Sequence, residues 1–146
     1  MTETQPQTVH FEGGQLVLHD GQPYFRMAFY GIFRKDIYGD RLHGIKVSES
    51  QEMERYAMFL VGGRLAMTVG TGQPEDHVVV DVIDVPKSVI LESVDYTEHH
   101  PDWYVRTWLP NSLGGVWCYL MPVERMMEAR GVKVPHGDYL KALDER

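Results

Sequence analysis

Cysteine occurs once in the 146 residues, at Cys118, so no internal disulfide can form. Flanked by Trp117, Tyr119 and Leu120, it reads as a small buried hydrophobe rather than a nucleophile. A Gly-x-Ser-x-Gly elbow is missing as well, which removes the usual serine-hydrolase arrangement. Positive charge is scarce and scattered. The 14 Lys and Arg stand against 21 Asp and Glu, for a net charge of −7, which argues against a surface for nucleic acid or for an anionic membrane. No apolar run reaches bilayer-spanning length. Residues 1–8 are polar, without the positive start and apolar stretch of a signal peptide. The expected setting is therefore reducing and cytoplasmic. Seven His are present, but the adjacent pair His99-His100, with Glu98 and Asp102 beside it, makes a poor metal site. Successive side chains diverge, and no Cys pair or second spaced His motif supports them.

What the chain does have is core-forming material, 43% apolar and 11% aromatic, in a length that suits one domain. Residues 15–19 and 24–29 flank Asp20-Gly21, a dipeptide that readily takes the positive φ angles of a tight hairpin. Residues 36–55 mix charge with Gly and read as a surface loop, with a helical turn or two near 50–56. Residues 56–61, 64–69 and 77–85 are rich in Val, Leu, Met and aromatics, and Gly and Pro separate them, so they read as strands. A short helix is expected from Pro86, with Asp84 as a possible cap and Val89, Ile90 and Val94 at helical spacing. Pro101 forbids its continuation. Residues 103–109 and 116–121 read again as strands, and 122–130 as a helix stopped by Gly131. Many short strands with few helices indicate an α+β fold, a small mixed β-barrel with helices packed outside.

Glu98 is the leading candidate for chemistry. It falls at the expected C-terminal end of the first helix, where unpaired carbonyls disfavour another negative charge. Tyr96, Trp103 and Tyr104 would add a desolvation penalty. Both effects raise a carboxyl pKa toward the range useful to a general acid/base. Upstream, Tyr30-Gly31 ends a strand, and the backbone N–H groups that follow could bind a carboxylate.

Taken in order, Tyr30-Gly31-Ile32-Phe33, Val94-Asp95-Tyr96-Thr97-Glu98-His99, Tyr104-Val105-Arg106 and His136-Gly137-Asp138-Tyr139 resemble the motifs of the gamma-glutamylcyclotransferase-like superfamily, which includes AIG2-like proteins. Gly63-Arg64-Leu65, residues 77–85 and residues 116–120 resemble its intervening strands. The resemblance spans residues 24–143 and implies a single domain there, with residues 1–23 as an N-terminal extension carrying an edge strand. It also implies a cofactor-independent enzyme that cyclises a small-molecule gamma-glutamyl amide to 5-oxoproline and releases an amine or amino acid. Glu98 would be the catalytic base. Tyr30, Gly31, Ile32, Phe33 and Tyr104 would bind substrate. In place of the family's hydroxyl residue, Leu or Asn, and Gly, this chain has Ile32, Phe33 and His99. His99 could narrow the pocket or add a titrating group, and Ile32 removes a hydroxyl. These changes favour the alternative of a weak or inactive binding module on the same fold.

Overall fold

The computed structural model describes residues 7–31, 42–54, 56–62, 64–68, 76–109, 114–134 and 137. Ten strands are described: β1 (Thr8–Phe11), β2 (Gly14–His19), β3 (Gln22–Phe29), β4 (Ile45–Glu54), β5 (Ala57–Val61), β6 (Arg64–Thr68), β7 (His77–Pro86), β8 (Val105–Leu109), β9 (Val116–Leu120) and β10 (Val132–Lys133). β1-β2-β3-β7-β4 form one path. β9 joins β3 in parallel at Met27↔Trp117, and β8 joins β9. β10-β5-β6 form a second, smaller sheet. The result is a mixed sheet curled into a half-barrel with few helices. None of the described helices is long and apolar enough to cross a membrane.

The β2–β3 hairpin forms at Asp20-Gly21, whose φ angles of 51° and 77° match the strand twist. β3 and β7 then supply two cores by alternation. Phe25, Met27, Ile83 and Val85 pack with Trp117 and Tyr119 on one face, and Ala28, Val80 and Val82 pack with Val116 and Cys118 on the other. Cys118 is fully buried, and burial pushes its thiol well above the ordinary range, as suits a packing residue.

Two expectations fail. Residues 45–54 are a strand, not a loop with a helical turn. Its alternation is broken by register shifts between Lys46 and Ser48 and between Ser48 and Gln51. Ser50 takes φ 51°, and its N–H donates to Asp81 Oδ1 at 2.8 Å. Such a bulged edge strand carries outward charges and so hides its period. Asp84, in turn, caps nothing. It lies opposite Arg26 in the β3–β7 ladder, fully buried. Arg26 Nε and Nη2 donate to its two oxygens at 2.8 and 2.9 Å, and His19 Nε2 lies 2.7 Å from Oδ2. Pro86 occupies the cap position without any side-chain cap.

Removing one member of a buried pair strands the other. Asp84→Ala is therefore expected to cost about 3 kcal/mol in urea unfolding, whereas an exposed-pair change such as Lys46→Ala should cost less than about 1 kcal/mol. Equal losses would show that Asp84 is not a structural anchor.

Candidate functional site

The helical segment after β7 runs through three joined parts: α1 (Lys87–Val89), a π-helical stretch (Ile90–Val94) and α2 (Asp95–Thr97). In the π turn the Asp95 N–H donates to the Ile90 carbonyl. That wider turn sets Asp95 above Ile90, so that Ile90, Val94 and Asp95 all face inward. Asp95 meets Arg106 there. The Arg106 Nε and Nη2 each lie 3.0 Å from one carboxylate oxygen, a bidentate pair. Tyr119, opposite Arg106 in the β8–β9 ladder, donates its hydroxyl to Asp95 Oδ1. The guanidinium sits 4.8 Å from the Phe25 ring centroid and 5.4 Å from that of Trp117. The Arg106 backbone N–H donates to His100 Nδ1 at 3.0 Å.

Glu98 follows directly as the helix C-cap, with φ −85° and ψ 0°. Its N–H donates to the Val94 carbonyl; those of His99 and His100 donate to Tyr96 and Asp95. This is a Schellman closure, and its left-handed position is His99, at φ 54°. The residue that replaces the family glycine is therefore an exposed cap residue in a conformation that favours glycine. Helix α3 (Val123–Glu128) ends the same way: Arg130, at φ 56°, takes the left-handed position, not Gly131. At Gly131 an added Cβ would meet Met126 at 3.0 Å, a packing reason for glycine.

Glu98 is half-buried, and burial raises its carboxyl pKa above 4.5, with the Arg64 charge working in the opposite direction. Its charge also acts on Tyr30, Tyr104, Cys118 and Tyr119, raising each of them. Tyr30 is buried and donates its hydroxyl to the Tyr119 carbonyl at 2.8 Å. Burial, then the nearby Cys118, Tyr104 and Glu98, hold that phenol well above its ordinary range. Tyr104 donates to the Leu65 carbonyl at 2.6 Å, and burial lifts it to about 12, helped by the Glu98 charge. Both hydroxyls are thus spent on backbone. A Cβ on Gly31 would stand 3.6 Å from Leu65 Cδ1, an ordinary van der Waals contact, and Gly31 takes no left-handed φ, so neither close packing nor backbone conformation there demands glycine. Ile32 and Phe33 lie outside the described residues, as do His136, Asp138 and Tyr139. Gly137, the described member of the last motif, presses on β7. At φ 56° its Cβ would fall 1.9 Å from the His77 carbonyl oxygen.

Tyr96, expected to desolvate Glu98, is 83% exposed and turns away. Arg64 was passed over as a strand-start residue. It fills the variable position of Gly63-Arg64-Leu65, and its relevance comes from β6 running past Tyr104. Among the described residues no group of three or more His, Cys, Asp and Glu is clustered for a metal. A cavity of about 190 Å³ lies elsewhere, lined by Met58, His77, Lys133 and Gly137. Lys133 there is already paired with Asp76 at 2.7 Å.

A family model described as gamma-glutamyl cyclotransferase, AIG2-like, matches residues 27–141. The crystal structure of the uncharacterized protein PH0828 from Pyrococcus horikoshii is similar, at 18% identity and a TM-score of 0.59, over 83% of this chain and 94% of that one. The solution structure of the protein ytfP from Escherichia coli is similar at 17% identity and a TM-score of 0.59, over 80% and 96%. At these identities the two structures share the fold. No curated protein matches the chain.

Two stability measurements follow from the cap. His99→Gly relieves a left-handed non-glycine residue and is expected to raise stability by about 0.5–1 kcal/mol in urea, whereas no gain would mean the His99 side chain makes a compensating contact. Glu98→Gln has a pH signature. A carboxyl raised on folding weakens the fold as it ionises, so this penalty is absent below the unfolded value of 4.5 and grows as pH rises through the folded value. The variant should exceed the native protein in stability at pH 7 and converge with it below pH about 4. A gap that stays constant with pH would contradict the burial of this group.

Proposed function

The chain belongs to the gamma-glutamyl cyclotransferase, AIG2-like family, and we propose that it cleaves a small-molecule gamma-glutamyl amide by intramolecular cyclisation, releasing 5-oxoproline and an amine. The observation that carries this reading is the position of Glu98: a half-buried carboxylate with a raised pKa, fixed at a helix cap, whose charge acts on the phenols of Tyr30, Tyr104 and Tyr119.

The reaction needs little beyond confinement and one proton carrier. The substrate's α-amino nitrogen attacks its own γ-carbonyl carbon, which closes a five-membered ring. The amide C–N bond breaks, and the proton given up by the attacking nitrogen ends on the departing amine. No oxidant, reductant or second substrate enters. Folding the glutamyl chain back on itself supplies proximity, and the enclosed reactants behave as if highly concentrated. Glu98 is the base that takes the ammonium proton and then the acid that protonates the leaving nitrogen. Its raised pKa brings it closer to neutrality, where one group can do both. The backbone N–H groups from Gly31 onward, through Ile32 and Phe33, are assigned to the substrate α-carboxylate. Tyr30 and Tyr104 contribute as walls that exclude water, since their hydroxyls are held by the Tyr119 and Leu65 carbonyls.

The test is 5-oxoproline release from a panel of gamma-glutamyl amino acids, peptides and amines. Glu98→Gln is expected to lower kcat by at least about 100-fold. The acid limb of kcat/KM in the native protein should lie above the ordinary glutamate value of 4.5, because Glu98 must be ionised to accept a proton. Activity retained in Glu98→Gln would remove Glu98 from the chemistry. A folded native protein that releases no 5-oxoproline from any member of the panel would leave the binding module as the better account.

A further inference from the structure

The first two strands lie ahead of residue 27, where the family match begins, yet they touch the ion pair behind the site. β1 and β2 meet in a two-residue turn, with Phe11 opposite Gly14 and Glu12-Gly13 between them. The strand pair is built into the wall of the half-barrel. Leu16 enters the core, the Trp117 ring N–H donates to the Gln15 carbonyl at 2.8 Å, and Phe11 stands edge-on to Phe25 with centroids 5.5 Å apart. A Cβ at Gly14 would fall 2.6 Å from the Trp117 ring, so the end of the turn presses on an aromatic that itself packs against Arg106.

From this turn Glu12 extends to Arg106. Its Oε2 lies 3.5 Å from Nη1, the nitrogen that the bidentate pair with Asp95 leaves unused. The Arg106 side chain is 3% exposed and that of Glu12 62%, so a surface carboxylate closes over a buried guanidinium. Among the described residues Nη1 has no other hydrogen-bond partner. A buried donor left without an acceptor is costly, so without Glu12 the guanidinium would turn toward water and away from its seat on Asp95.

The backbone of the turn gives a second, independent sign. Glu12 and Gly13 take φ 43° and 82°, close to the 51° and 77° of Asp20 and Gly21 in the next hairpin. Turns of this hand favour Asn, Asp or Gly at their first position. The second hairpin follows that preference with an exposed Asp20, whereas the first holds a longer acid in the same left-handed conformation. Non-glycine residues held in this region by their surroundings are concentrated where function needs them. Here the side chain that departs from the preference is the one that reaches Arg106.

We infer that Glu12 is a positioning residue for the proposed reaction: through Arg106 it steadies Asp95 and the helix cap that carries Glu98, which makes the β1–β2 strand pair part of the frame of the site. The link is continuous. Glu12 meets Arg106 Nη1, Arg106 meets Asp95, the Asp95 carbonyl accepts the His100 N–H, and His100 Nδ1 accepts the Arg106 N–H, with Glu98 inside that loop. The inference rests on the cyclotransferase reading of Glu98 and adds a residue that acts on it from outside the family match.

Glu12→Gly tests it by separating activity from stability. The variant removes the carboxylate and places glycine where φ 43° suits it, so its thermal midpoint should not fall. With the best gamma-glutamyl substrate of the panel, kcat is expected to drop about threefold to tenfold at nearly constant KM, the scale of one hydrogen bond to a buried group. Glu12→Gln, which keeps an oxygen in place of the carboxylate, should retain more. Asp20→Gly makes the same backbone change in the other turn and should leave kcat as it is. Native kcat in Glu12→Gly overturns the inference. So does an equal loss in Asp20→Gly, which would assign the effect to the hairpins in general, and so does a loss confined to KM. If the native protein releases no 5-oxoproline from any substrate, the cyclotransferase reading fails, and the link from Glu12 to the cap is judged separately by NMR hydrogen exchange. Faster exchange of the Arg106 Nε–H and the His100 amide in Glu12→Gly than in Asp20→Gly supports the link; equal rates in the two variants overturn it.

Discussion

The buried pair between Asp95 and Arg106 is the constraint on which the site depends. It joins the end of a short helical segment to the β8–β9 ladder, and the aromatic rings of Phe25 and Trp117 pack against its cation. Buried ion pairs are poor sources of net stability, because desolvation of both charges offsets most of their attraction. What they provide well is a unique arrangement, since any shift that separates the partners leaves each charge buried alone. The hydroxyl of Tyr119 and the His100 ring add two more fixed points. Glu98 lies between Asp95 and His100, so its backbone is pinned from both sides.

That pinning changes the explanation for the carboxyl of Glu98. A helix end was expected to disfavour its charge through unpaired carbonyls. In the structure the carbonyls of Val94, Asp95 and Tyr96 are all taken by the N–H groups of Glu98, His100 and His99, which weakens the dipole argument. Burial is the leading cause, and the Arg64 charge opposes it. The two nearest phenols do not relieve the burial, because both donate to backbone carbonyls. Among the described residues no side chain or N–H donates to the Glu98 carboxylate. A half-buried carboxylate with few donors is under-solvated, and that is the condition in which it binds a proton more readily.

Legibility in the sequence followed the range of the interaction. Local signals read well. Asp20-Gly21 carries its own positive φ angles, and the Pro-bounded stretch ending near Glu98 carries helical spacing and a stop. Strands β5 to β9 could be read from runs bounded by Gly and Pro. β4 could not be read, because a left-handed Ser50 breaks its alternation and the charges of an edge strand resemble those of a loop. Asp84 misled for a related reason. Two residues before a proline it has the look of a cap, and only the pairing of β3 with β7 reveals Arg26 across from it. At the candidate site, the acid and the aromatic segment after it were visible as a motif. The partnership of Asp95 with Arg106, the hydroxyl bonds of Tyr30 and Tyr104, and the nearness of Arg64 all join different elements and leave no trace in spacing. His99 shows the converse. The sequence suggests a side chain that could narrow the pocket or titrate, and the left-handed backbone of this cap position shows only in the structure.

Under the proposed cyclotransferase reading, the distribution of charge bears on how an acidic protein would accept an acidic substrate. Any gamma-glutamyl compound carries an α-carboxylate, and the surrounding field of a chain with net charge −7 repels it. Glu98 itself adds a negative charge at the point of reaction. Long-range attraction cannot therefore bring the substrate in, and binding must come from donors within a few ångströms, where screening by solvent is weakest. In the proposed site such donors are of two kinds. Backbone N–H groups carry no net charge and so would not depress the pKa of Glu98, which is why the proposed reading gives them the carboxylate nearest the base. Guanidiniums do depress it, as the opposing effect of Arg64 shows. Arg64 lies over the Tyr104 ring, 5.8 Å from its centroid, and among the described residues forms no salt bridge to Glu98. In the proposed reaction, neutral donors beside the base would let the site hold an anion and still keep the Glu98 carboxylate basic enough to move a proton.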